Sequence, residues 1–275
     1  MFLSSMTLQT ERKIKMTNQL VSNYNMAIND ERIHKFMSVL QSHYTTVIVG
    51  AGLSTSAGIP DFRSSGGRYK DTSIMDLATV EGLENDTERF HEYYNGRIHE
   101  VKEAHPTDAH KAMVYLRERG YFNQLVSQNV DNLLERAGMP SEQLIKLHGD
   151  VMTVRCNSCD KPFEVADYTS ECTLCNKCGG HLRPNIVMFS EDIGTQVLAN
   201  SLSSIEDCEA IVVIGTALNI QLPRYLVSKA VAKGAKLIVI NRDSLGDGYQ
   251  PYLEFNDDIE DVLVALQQHI ELMSR

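Results

Sequence analysis

Five short apolar runs, each ending in a cluster of polar or glycine residues, constrain this chain more than any other feature. They are TTVIV before GAG at 50–52, NQLVS before QNVD at 128–131, and QLIKL before HGD at 148–150. AIVVI runs into GTA at 215–217 and KLIVI into NRD at 241–243. Runs this short and this apolar read as strands buried on both faces. Helical stripes separate them: Ile33, Phe36, Met37 and Leu40; Ala109, Ala112, Met113 and Leu116; a helix near 222–232; and Ile259, Val262, Leu263, Leu266 and Ile270. Strands alternating with helices predict an α/β fold, a doubly wound Rossmann-like parallel sheet. Ligands of such sheets sit beyond the carboxyl ends of the strands, where these polar clusters fall.

Gly50 and Gly52 allow a sharp turn and close approach to a pyrophosphate. The stretch GAGLSTSAG has GxG without a third glycine in register, and no GxxxxGK[ST] occurs anywhere. A nucleoside-triphosphate motor is therefore disfavoured. Asp71 lies near the ~20-residue distance after the glycines at which a dinucleotide fold places an acidic residue, but it falls in a polar loop and not at a strand end, which weakens a hydride-transfer reading.

Five of six cysteines lie between 156 and 178. Cys156 and Cys159, and Cys175 and Cys178, form two CxxC pairs, the spacing of a Cys₄ zinc ribbon whose four protein ligands leave no place for a reactive water. Cys172 is an alternative ligand, although Gly-Gly after Cys178 favours the 175/178 knuckle. Cys208 adjoins a strand and reads as core. Clustered thiols without a signal peptide lead to the expectation of a cytoplasmic protein. A net charge of −10 argues against direct nucleic-acid binding, and no apolar stretch is long enough to span a membrane.

In this order, GAGLSTSAGIPDFRS, QNVD, LHGD, the two CxxC pairs, HLRPNIVMFSE and GTALN resemble the sirtuins, NAD-dependent protein-lysine deacylases, from about Ile33 to the C-terminus. The resemblance implies that NAD is consumed. The acyl-lysine carbonyl oxygen attacks C1′ of the nicotinamide ribose, nicotinamide leaves, and an alkylimidate forms. His148 matches the base that draws a proton from the ribose hydroxyls, so that nicotinamide, free lysine and O-acyl-ADP-ribose result. Asn129 and Asp131 match residues that position this ribose and a water, with Gln128 beside them. Ala51, Thr55, Phe62 and Arg63 match the surroundings of the phosphates and nicotinamide, Gly215 and Thr216 the phosphate turn, and Asn241 and Asp243 the adenosine-ribose contacts. Val187 and Phe189 match the strand that receives the substrate peptide.

Tyr94-x-x-Arg97, with a small Ala78, is similar to the mark of the subgroup that removes succinyl and malonyl groups. Two positions depart from the family: Ala217 stands where a Ser hydroxyl is usual, and Ser190 where Gly is usual, which narrows the peptide approach. Acylated lysine proteins are the implied partners, with NAD and one structural Zn²⁺ as the implied cofactors. The expected organisation is an arm at 1–28, a nucleotide domain from 29–70, 106–150 and 184–275, and a smaller domain from a helical insert at 71–105 and a zinc-ribbon insert at 151–183. Two alternatives stay open: NAD cleavage as a mono-ADP-ribosyltransferase or hydrolase, and a non-catalytic NAD-sensing module.

Overall fold

The computed structural model describes residues 31–62, 67–68, 72–169 and 171–274; the arm expected at 1–28 and Arg63 lie outside them. The order of elements is α1 (Glu31–Ser42), β1 (Thr45–Val49), a 3₁₀ helix (Ala51–Ala57), α2 (Thr72–Leu77), α3 (Val80–Asn85), α4 (Thr87–Glu103) and α5 (Asp108–Glu118). Next come β2 (Gln124–Ser127), α6 (Leu133–Ala137), β3 (Leu144–Lys146), β4 (Gly149–Cys156), β5 (Pro162–Phe163) and β6 (Leu182–Ile186). The chain closes with α7 (Thr195–Ser203), β7 (Ala210–Ile214), α8 (Gln221–Ala232), β8 (Lys236–Ile240), β9 (Leu253–Phe255) and α9 (Ile259–Met273).

The larger sheet has the order β3-β2-β1-β7-β8-β9, and every neighbouring pair is parallel. Side chains alternate across it. Val47, Val49, Val212 and Ile214 pack with Phe36 of α1, Met113 of α5 and Leu266 of α9. Ile48, Val126, Ile211 and Val213 face the opposite way and pack with Leu226, Val227 and Ala230 of α8. Both faces are thus covered, which is why β1 and β7 are buried at every residue and carry uninterrupted apolar runs. The chain leaves β1 in one direction through β2 and β3, then returns to lay β7 on β1's other side. That reversal opens a crevice at the carboxyl ends of β1 and β7.

All five strands read from the apolar runs are present. The sixth, β9, is only three residues long, too short for periodicity to register. A second, antiparallel sheet has the order β5-β4-β6. It runs from Gly149 to Ile186, overrunning 151–183 at both ends, because β4 starts directly after the His148 turn. Gly149 is required there. Its φ is +77°, and a Cβ would stand 2.2 Å from the Asn185 carbonyl oxygen. Around this sheet Leu83, Phe90, Tyr94, Ile98 and Val101 from α3 and α4 share a core with Val151, Val154, Cys156 and Leu182. The helices at 72–103 and the cysteine-bearing segment therefore bury their apolar faces against each other.

Phe90 is fully buried in that second core, its ring centroid 4.5 Å from that of Tyr94. We expect Phe90→Ala to destabilise the protein by about 3–5 kcal/mol, measured by urea unfolding. A loss below about 1 kcal/mol, the size typical of a surface substitution, would contradict the packing described.

Candidate active site

Two glycine turns meet at the crevice. Gly52 N–H donates to the Gly215 carbonyl at 2.9 Å, and Gly50 N–H to that of Ile214 at 2.9 Å. A Cβ on Gly52 would lie 2.6 Å from Gly215 Cα, and one on Gly215 2.7 Å from Leu53 N. Neither contact can be relieved by turning a side chain, so both positions need glycine. Above these turns a cleft of about 1100 Å³ separates the large sheet from the smaller module.

The strand ends supply one side of the cleft: Ala51, Gly52 and Thr55 after β1, Gln128 and Asn129 after β2, and His148 after β3. Gly215 and Thr216 after β7, and Asn241 and Asp243 after β8, complete that side. Phe62, Ala78, Tyr94, Arg97, Val187 and Phe189 line the rest. Sixteen of the expected site residues outside the cysteines thus border one cavity. Gly50 and Asp131 lie outside its lining.

A bond to the main chain decides the tautomer of His148. Its Nδ1 lies 2.9 Å from the Gln128 carbonyl oxygen. A carbonyl only accepts, so Nδ1 carries the proton and Nε2 carries the lone pair of the neutral ring. Two motifs distant in sequence are joined by this bond, and Lys146 joins them a second time. Its ammonium donates at 2.8 Å to the Asp131 carbonyl, to Glu135 and to Asp150. All three of its protons have acceptors, which offsets its burial. Nothing but an internal Lys in the run LIKL signalled this.

Beneath Asn129 lies a buried network. His110 Nδ1 accepts the Thr107 N–H at 3.2 Å, which puts its proton on Nε2, 3.5 Å from Ser54 Oγ. The Ser54 hydroxyl donates to Asp131 at 3.0 Å and accepts from Asn129 Nδ2 at 3.3 Å. The other Asp131 oxygen accepts the Leu133 N–H at 3.1 Å. Burial pushes His110 down to about 4 against the pull of Asp131, so the ring is neutral near pH 7. Asp131 therefore holds the floor in place instead of facing the cleft. Ser54 escaped the sequence reading because a lone Ser carries no spacing signal. Above them, Asn129 Oδ1 and Gln128 Nε2 are buried and have no partner among the described residues. An unfilled acceptor beside an unfilled donor fits the hydroxyls of a ribose. Thr216 Oγ1, 3.4 Å from Gln128 Oε1, links this floor to the second glycine turn, and the residues present fit a dinucleotide.

At the other end, Arg97 is 5% exposed. Its guanidinium carbon stands 5.3 Å from the Phe62 ring centroid, and it reaches Glu100 at a long 3.7 Å. The hydroxyl 3.5 Å from it belongs to Tyr93, one turn back on α4, while the buried Tyr94 ring borders the cleft and packs 4.5 Å from that of Phe90. Phe189 to Glu191, expected as strand, form a turn. Glu191 N–H donates to the Met188 carbonyl at 3.0 Å, and the Glu191 carboxylate accepts the Met188 N–H at 3.0 Å. The Ser190 hydroxyl accepts the Val80 N–H at 3.0 Å, so this departure from Gly ties the turn to α3.

Cys156, Cys159, Cys175 and Cys178 bring their sulfurs within 4.8 Å of one another. The Cys156–Cys178 and Cys159–Cys175 separations are 3.5 and 3.8 Å, near the ~3.8 Å edge of a tetrahedron with zinc–sulfur bonds of about 2.3 Å. Cys172 is exposed and outside the cluster. Ser158 N–H and Lys177 N–H point at the first sulfur of each pair, at 3.4 and 3.3 Å. The four thiols fit a structural Zn²⁺. Purified protein is expected to carry one zinc per chain, to lose it in Cys175→Ser and to keep it in Cys172→Ser, by elemental analysis. Metal-free wild type, or zinc loss in Cys172→Ser, would contradict the assignment.

The model of the Sir2 family matches residues 50–222. An NAD-dependent protein deacylase 1 of Archaeoglobus fulgidus is 36% identical over 216 residues, covering 78% of this chain and 86% of the relative. An NAD-dependent protein deacetylase of Oceanobacillus iheyensis is 32% identical over 218 residues, with 79% and 89% covered. Among solved structures, a Sir2 homologue in complex with ADP-ribose superposes with a TM-score of 0.82 at 31% identity, covering 89% of this chain and 98% of that one. Sir2 with a deacetylated p53 peptide and 3′-O-acetyl ADP-ribose gives 0.79 at 28% identity, with 87% and 98% covered. A glycine-walled crevice, a paired His148 and a Cys₄ ribbon are thus found on a chain that belongs to the Sir2 family.

Proposed function

We propose that this chain removes acyl groups from protein lysines at the expense of NAD, releasing nicotinamide and transferring the acyl group to ADP-ribose. The observation that carries the reading is the His148–Gln128 bond. It sets a base-competent imidazole on the same cavity as the unfilled amide groups of Gln128 and Asn129. NAD when bound supplies a glycosidic bond whose cleavage leaves an electrophilic ribose carbon.

The chain's own residues do the rest. Gln128 and Asn129 hold the ribose hydroxyls, Asn129 being steadied from below by Ser54, Asp131 and His110. His148 Nε2 takes a proton from a ribose hydroxyl, which makes that oxygen a nucleophile toward the acyl carbon. Phe62 covers the reacting face and excludes water. Gly52, Gly215 and Thr216 let the backbone close on the phosphates, and Asn241 and Asp243 receive the adenosine ribose. Val187 and Phe189 form the wall along which the acyl-lysine peptide lies. Replacing His148 by Asn is expected to lower kcat for deacylation about 10²–10⁴-fold, with binding of ADP-ribose retained in a thermal-shift assay. Activity within twofold of wild type would sink the assignment of the base.

A second, finer proposal concerns the acyl group. The Arg97 guanidinium is buried at the cleft wall, with one long ion pair and an aromatic face against it. Such a cation favours a carboxylate on the acyl chain over a neutral acetyl. Arg97→Met should reduce desuccinylation by roughly 10–100-fold, the worth of a charged hydrogen bond, and deacetylation far less. Equal losses on succinylated and acetylated peptides would refute it.

A further inference from the structure

Arg183 is the largest fully buried side chain in the described structure, at 0% exposure. It stands on β6, an edge strand of the antiparallel sheet, and both terminal nitrogens donate to Glu191, at 2.9 and 2.5 Å. The same carboxylate accepts the Met188 N–H at 3.0 Å and is approached by Arg155 at 3.4 Å. Burial alone would raise the Glu191 carboxyl; the Arg183 bonds, the Met188 N–H and the nearby Arg155 charge outweigh it and hold the group below its ordinary value. Burying the Arg183 guanidinium costs several kcal/mol before its attraction to Glu191, whose side chain is 24% exposed, is counted. Apolar residues of similar volume often serve stability as well, so the pair is better explained by the geometry it imposes.

That geometry is the turn at 188–191, which faces the cleft through Met188, Phe189 and Glu191. Single bonds also hold it: Val187 N–H to the His148 carbonyl at 3.0 Å, Phe189 N–H to that of Ala78 at 3.1 Å, and the Val80 N–H to the Ser190 hydroxyl at 3.0 Å. The ion pair joins this turn to β6 through two parallel bonds, with Arg155 of β4 adding a longer one at 3.4 Å, and it orients a carboxylate that in turn caps Met188. Phe189, 45% exposed, is thereby presented at the mouth of the cleft.

We propose that Arg183 and Glu191 are positioning residues for the acylated peptide: their fork-to-carboxylate bond presets the 188–191 turn that forms the peptide's wall of the cleft. The inference rests on the acyl-lysine reading of this site. Neither residue is asked to touch NAD or the reacting atoms, so their effect falls on peptide affinity and not on the nucleotide.

The test compares wild type, Arg183→Lys, and the double variant Arg183→Met/Glu191→Met, which removes both charges together and leaves neither unpaired. Binding of an acetyl-lysine peptide is measured by fluorescence anisotropy at saturating ADP-ribose, alongside ADP-ribose affinity by calorimetry and zinc content. The expected result is peptide affinity about tenfold weaker in the double variant, the equivalent of a net charged hydrogen bond. Arg183→Lys, which keeps the charge and loses the fork, should fall between. ADP-ribose affinity should stay within about twofold, and zinc should remain at wild-type stoichiometry. Unchanged peptide affinity, or parallel losses of peptide and ADP-ribose binding, would overturn the inference. If the double variant does not fold, Arg183→Lys decides alone by the same split. A wild-type chain that binds ADP-ribose but no acylated peptide would instead overturn the acyl-lysine reading itself and this inference with it.

Discussion

The contact between Gly52 and Gly215 is the constraint on which the rest depends. Two strands that run side by side end in turns whose backbones touch, with 2.9 Å between Gly52 N and the Gly215 oxygen. A side chain at either place would push against main chain, and the switch point between β1 and β7 would open. With the turns in place, the ends of β2, β3 and β8 deliver their polar residues to one crevice. The fold thus specifies where a nucleotide can lie before any particular contact to it is considered.

The site is built in tiers. Its lowest tier is the His110–Ser54–Asp131 network, whose neutral histidine and single carboxylate leave Asn129 one orientation for its amide nitrogen. Above it, His148 and Lys146 tie the loop after β3 to the loop after β2. The smaller module then closes the cavity with Ala78, Arg97 and the turn at 188–191. Its helices and its cysteine-bearing sheet share one core, so an ion held by the four thiols acts on the cleft through packing and not through chemistry.

Much of this was legible in the amino-acid sequence because strand ends carry function in parallel sheets. The runs before Gly50, Gln128, His148, Gly215 and Asn241 located five strands and, with them, the crevice. The two CxxC pairs pointed to the four thiols that converge, with Cys172 left as an alternative that the Gly-Gly after Cys178 disfavoured and the structure places outside the cluster. What escaped was set by tertiary contact. Asp131 reads like a cleft residue, yet its carboxylate is consumed by Ser54 and Leu133. Tyr94 lies at the right spacing for Arg97, while the hydroxyl near the guanidinium is that of Tyr93, because one turn of α4 brings i and i+4 together. The stretch Phe189-Ser190-Glu191 reads as strand but turns, since Glu191 takes both polar groups of Met188. The charge of Lys146 inside the apolar run LIKL was the only trace of its role.

The central claim is that this cleft spends NAD as a reagent and that the acyl oxygen ends on the sugar. The most direct measurement uses a peptide whose acyl-lysine carbonyl carries ¹⁸O, with mass spectrometry of the nucleotide product. The account predicts that the label is found on the ribose carbon that bore nicotinamide, in an ADP-ribose that also carries the acyl group. Label that stays with a released carboxylic acid, beside unlabelled ADP-ribose, would contradict it.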